Sequence, residues 1–64
     1  MTRSEVDKLT RGDKVTFKFG PHPVNGIVDM IYEEKSEIIV EIEYLCDGAP
    51  KSVKRNRKLV VLKS

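Results

Sequence analysis

Lys51, Lys54, Arg55, Arg57 and Lys58 put five cations into eight consecutive positions, and four aliphatics, Leu59 to Leu62, follow at once. Clustered lysine and arginine side chains carry the chemistry of phosphate contact. They displace counterions from a nucleic-acid backbone and hold it with little regard to base sequence. Two more cations, Lys14 and Lys18, lie four apart in an alternating segment. The net charge of the 64-residue chain is only +2, yet it is unevenly spread. Asp29 to Glu43 holds six acids and one base, net −5, and Asp47 to Ser64 holds six bases and one acid, net +5. That asymmetry says more about partners than the overall charge does.

Other chemistry finds little support. His22 stands between Pro21 and Pro23 with no nucleophile or orienting carboxylate nearby in sequence, so it is an exposed loop histidine and not a general base. One cysteine and one histidine do not make a metal site. Cys46 is expected to be a small, buried or half-buried hydrophobe, and a lone cysteine suits a reducing, cytoplasmic setting. An aromatic cage for a methylated cation needs several rings converging on a loop end. Of the four aromatics, alternation sends Phe17 and Phe19 to the core and leaves Tyr32 and Tyr44, near hairpin ends, for a rim. A chain of this size buries a modest core and encloses no large cofactor. The expectation is a non-enzymatic domain with no cofactor, no metal and no small-molecule substrate. No apolar run approaches the roughly 20 residues of a membrane span, so no membrane partner is expected.

The elements that must position these residues are strands. Ser4 to Leu9 suggests one helical turn, with Ser4 and Asp7 as a weak cap and with Val6 and Leu9 plugging one end of the core. Thr10 to Asp13 is a turn. Asp13 to Phe19 alternates, with Val15, Phe17 and Phe19 inward and Lys14, Thr16 and Lys18 outward. Gly20-Pro21-His22-Pro23 is expected to break the ladder as a stiffened loop. A second strand, Val24 to Glu33, turns Val28, Met30 and Tyr32 inward, with Gly26 marking a bulge or a close backbone approach. A third, Glu37 to Leu45, turns Ile38, Val40, Ile42 and Tyr44 inward after a short loop at Glu34 to Ser36. Asp47-Gly48 is a strong hairpin signal. Centring the turn there sets Ile42 against Val53 and Glu41 against Lys54, with Pro50 straining the outermost pairs. Asn56 to Lys58 is a tight turn of 3₁₀ type, and Leu59 to Leu62 a last strand assigned to the core. Five short hairpin-linked strands give an all-β, closed or nearly closed antiparallel barrel filling a single domain: residues 1–10 are an N-terminal turn or helix and 12–63 the barrel.

Arg11 to Ile31 resembles the opening of SH3-like barrels of the KOW and Tudor type. Those begin with Gly-Asp-x-Val, a strand, a glycine-containing loop, and Gly-x-Val on the second strand. The matching residues are Gly12, Asp13, Val15, Gly20, Gly26 and Val28, over about a third of the chain, with prolines where KOW loops often carry another glycine. The resemblance implies a five-stranded SH3-like barrel whose first strand lies beside its last, and contacts to RNA or protein. The same stretch is similar to the plasmid-encoded type II dihydrofolate reductases, which line a tetramer pore with Val-Gln-Ile-Tyr. The corresponding residues here are Val53-Lys54-Arg55-Asn56, so that similarity extends to the fold and not to the activity.

Two functions follow as expectations. In the first, Lys14, Lys18, Lys51, Lys54, Arg55, Arg57 and Lys58 form one basic strip for an RNA or DNA backbone, with low specificity because exposed aromatics are not interleaved with it. The turn at Asn56, where Arg55, Arg57 and Lys58 lack an evident acid, is its centre. In the second, the chain is a protein-binding or self-associating accessory module of bacterial or phage origin. There Ile31 and Ile39 face each other on the outer surface, Tyr32 and Tyr44 join them on a rim, and the oppositely charged ends steer a partner.

Overall fold

A computed structural model describes residues 1–63. Helix α1 spans Arg3–Asp7; strands β1 Lys14–Phe19, β2 His22–Glu34, β3 Glu37–Cys46 and β4 Ala49–Asn56 follow; a 3₁₀ turn at Arg57–Leu59 leads into β5, Val60–Leu62. All pairings are antiparallel and the sheet order is β4-β3-β2-β1-β5. The chain is thus an all-β, barrel-like fold of five strands, and β1 does lie beside β5.

The core contains Val6, Leu9, Val15, Phe17, Val28, Val40, Ile42 and Val60, with Ile31, Ile38, Tyr44 and Val53 packed against it. Helix α1 supplies Val6, and Leu9, just beyond its end, joins it in the core, as their spacing predicts. Its cap differs from expectation. Thr2, not Ser4, caps it: the Glu5 amide donates to Thr2 Oγ1 at 3.2 Å and the Thr2 amide donates to Glu5 Oε1 at 2.8 Å. Glutamate fits this reciprocal box better than Asp7 would, because its longer side chain reaches back to the cap. These hydrogen bonds favour the Glu5 carboxylate and hold its pKa below the ordinary value. The amine of Met1 donates to the carbonyls of Arg57 and Val60 at 2.9 and 2.7 Å, tying this segment to the 3₁₀ turn.

Three local features set where side chains point. The first is a turn. Gly20-Pro21 alone connects β1 to β2, with Phe19 opposite His22 and Lys18 opposite Pro23, so the expected stiff loop is a two-residue hairpin. Gly20 has φ +64° and Pro21 fixes a negative φ, the sign combination of a type II′ turn, which suits the strand twist. The second is a close approach. A Cβ on Gly26 would overlap Ile42 Cγ2 and come within 2.9 Å of the Glu43 carbonyl oxygen. Gly26 is therefore the crossing point of β2 over β3, and not a bulge.

The third is the bulge itself, at Asp29, where the register shifts between Val28 and Met30. One extra residue reverses the alternation. Val28 faces Ile42 inside, but beyond the bulge Ile31 faces Val40 inside, while Met30 and Tyr32 face Glu41 and Ile39 on the outer surface. This corrects the inward placement of Met30 and Tyr32 and the outward placement of Ile31. Met30, and not Asp29, lies opposite Glu41, and Asp29 pairs with Arg11 at 3.4 Å.

The β3–β4 hairpin has the register read from Asp47-Gly48, with Ile42 opposite Val53 and Glu41 opposite Lys54. Its ladder continues through Leu45–Pro50 to Cys46–Ala49, so Pro50 is accommodated within it. Cys46 is exposed and not buried, because its pair lies at the turn, beyond the reach of the core. Leu59, Val61 and Leu62 are exposed as well, leaving Val60 as the one core residue of that run.

Candidate nucleic-acid interface

Strand alternation separates the basic residues of β4. Lys54 pairs with Glu41 on the outer surface, while Arg55 pairs with Val40 and shares the inner face with Lys51 and Val53. Lys54 is exposed and its pKa is raised, first by hydrogen bonding to and charge interaction with the Tyr32 phenol, then by Glu41 and Glu34. Its charge belongs to an acidic surface. Among the described residues Arg11–Asp29 is the only ion pair, so Lys54 and Glu41 interact across the ladder without closing a salt bridge.

Arg55 does something else. Strand β5 covers β1 only from Val15 to Phe17, and Lys18 and Phe19 run past its end. The gap between that part of β1 and β4 is spanned by the Arg55 side chain. Its guanidinium lies 5.5 Å from the ring centre of Phe17 and 5.8 Å from that of Phe19, and Nη1 donates to the Lys54 carbonyl at 2.9 Å. Stacking on aromatic faces suits arginine, whose planar cation is weakly hydrated. Tyr44 packs edge-on against Phe17 at 5.4 Å and tilted against Phe19 at 6.2 Å.

A groove of about 350 Å³ runs along this seam, lined by Thr16, Phe17, Lys18, Pro23, Arg55, Lys58, Leu59 and Val61. It gathers three of the predicted cations, Lys18, Arg55 and Lys58, with no acid among its lining residues. Lys51, opposite Tyr44 on β4, is not among the lining residues. Lys58 is placed by the Asn56 cap, whose Oδ1 accepts from the Lys58 amide at 3.0 Å while its Nδ2 donates to Glu37 Oε2.

The remaining predicted residues lie elsewhere. Lys14 borders a larger concavity of about 500 Å³ with Lys63, but Glu43 is there too and offsets the charge. Arg57 is half-buried and donates to the Met1 carbonyl at 3.1 Å, so its guanidinium holds the N-terminal segment and does not face outward alone. Of the expected partner-binding set, Ile31 and Tyr44 pack against the core, and only Tyr32 and Ile39 remain paired on the outer surface. His22 is exposed, at the start of β2 and not in a loop.

Sequence reasoning missed Phe19. It shares the inward parity of Val15 and Phe17 but is 52% exposed. The available signal was its place directly before Gly20-Pro21 together with the shortness of the last strand, which leaves the end of β1 uncovered. Among the described residues no three His, Cys, Asp or Glu side chains come together in a way that could hold a metal ion, and no helix is long and apolar enough to cross a membrane. The arrangement can present cations and an aromatic edge to an anionic, planar ligand. No protein-family model matches the chain, and neither a curated protein nor a solved structure does.

Proposed function

We propose that this chain is a non-enzymatic binding module that contacts a nucleic-acid backbone through the seam groove, with low sequence specificity. The observation that carries the reading is the convergence of Lys18, Arg55 and Lys58 on one groove without an acid in its lining. Lys51 extends the positive surface along β4. Three or four cations neutralise as many phosphates, so affinity should fall about ten- to fifty-fold between about 50 and about 200 mM salt. Anisotropy of a labelled oligonucleotide of about 20 nucleotides, long enough to span several phosphates, measures this. Lys18→Glu with Lys58→Glu, both exposed, should abolish binding without unfolding the domain. Absence of binding at low salt sinks the reading.

A kinship with SH3-like barrels of the KOW and Tudor type belongs to the same proposal, supported by the Gly12-Asp13 opening, the Gly26 crossing and the β1–β5 pairing. So does a cytoplasmic location, supported by the exposed free thiol of Cys46. A second reading, as a self-associating or protein-binding module, rests on a different observation. Edge strand β5 is three residues long and exposes Val61 and Leu62. Sedimentation at rising concentration distinguishes it: a dimer that Val61→Lys disperses supports it, and a strict monomer opposes it.

A further inference from the structure

Resting on the nucleic-acid reading, we infer that the ligand is single-stranded and that Phe19 is its base-stacking platform. Phe19 is an inner-face residue left open, not an outer-face residue by parity: Val15 and Phe17 on the same face of β1 are sealed, and Phe19 is 52% exposed. Its ring is already held. Tyr44 leans on it from β3, and the Arg55 guanidinium lies over it from β4. A ring fixed before binding loses little freedom when a base arrives, and the planar guanidinium beside it offers a second flat surface.

Beyond Arg55, lysines lie on the segments next to the ring. Lys18 precedes it in the chain, Lys51 faces Tyr44 across the β3–β4 ladder, and Lys58 lines the adjoining groove with Lys18. Aromatic faces flanked by cations are how proteins hold single strands whose bases are free to stack. A duplex keeps its base faces covered and can use only the cations. An acidic protein would also satisfy the cations, but would leave the exposed ring without a partner.

The chain has no tryptophan, so Phe19→Trp puts a single indole reporter beside Arg55 and Tyr44. Single-stranded oligo(dT) of about 20 nucleotides should quench its emission, and a duplex of equal length should bind without quenching, since only an unpaired base can stack on the ring. Phe19→Ala in the otherwise unchanged chain should weaken oligo(dT) about five- to a hundred-fold, leaving the salt dependence and the duplex affinity unchanged. Thermal unfolding of Phe19→Ala checks that the fold persists. Equal binding of single strand and duplex, with Phe19→Ala neutral, overturns the stacking role and leaves the electrostatic reading standing. Absence of binding to either nucleic acid overturns both. Polyglutamate binding as tightly as oligo(dT), and losing the same factor in Phe19→Ala, overturns the nucleic-acid ligand in favour of an acidic protein.

Discussion

The Gly26 crossing and the Arg55 seam are two places where strands of one small sheet meet, and they meet in opposite ways. At Gly26 the backbones of β2 and β3 come so close that no side chain fits between them. At the seam, β1 and β4 do not pair, and an arginine laid over two phenylalanine rings fills the interval. The first contact is made by main chain together with the Ile42 side chain and leaves little freedom. The second is made by a long, partly solvated side chain that can move or be replaced. The contrast predicts that the crossing carries stability and the seam carries binding.

The largest effect should come at the crossing. Gly26→Ala puts a methyl group against Ile42 Cγ2 and within 2.9 Å of a backbone oxygen, so one wall cannot yield by a rotamer change. Overpacking of this kind costs about 1–3 kcal/mol and sometimes more. In a domain this small the loss should appear as a large drop in the urea midpoint or as failure to fold. A neutral Gly26→Ala would mean that the strands cross more loosely than the structure shows.

Arg55→Ala should cost less, about 1 kcal/mol, from lost cation–π attraction and lost packing of the aliphatic stem. Arg55→Met, which keeps the stem, should recover part of that stability but none of the oligonucleotide affinity. Recovery of both would show that the guanidinium serves only as filler, and would break the distinction between the two regions.

The smallest effect lies on the outer surface. Tyr32→Phe removes the first cause of the raised Lys54 pKa, which should move back toward the ordinary value of 10.5 while Glu41 and Glu34 continue to raise it. Because the folded-state pKa is raised, any stability it contributes is complete below the unfolded value and is lost as pH rises through the folded one, above about 10.5. NMR titration of the Lys54 ε-methylene signals reads this directly. An unchanged midpoint would place the phenol outside the lysine's environment.

Much of the fold was legible from local chemistry. Asp47-Gly48 set the β3–β4 register because a two-residue turn admits few pairings and the side-chain period is two. Asn56 and the shift after it marked the 3₁₀ turn. The candidate site was half legible. Counting charges picked out Lys18, Arg55 and Lys58 but set them in one strip with Lys14, Lys54 and Arg57, which the fold sends to other surfaces. Alternation along β4 already divides Lys54 from Arg55. What it does not reveal is that the inner face at Arg55 is open, because that depends on where β5 stops.

The sequence by itself determined the strand periods, the turns and the separation of acidic from basic segments, because each follows from a residue's own backbone preferences and its nearest neighbours. Tertiary structure decided the rest. The bulge at Asp29 exchanged Ile31 for Met30 and Tyr32 in the interior, since register belongs to a pair of strands and not to one. The three-residue β5 left Phe19 uncovered beside Arg55, since exposure depends on which distant segment arrives to bury a side chain.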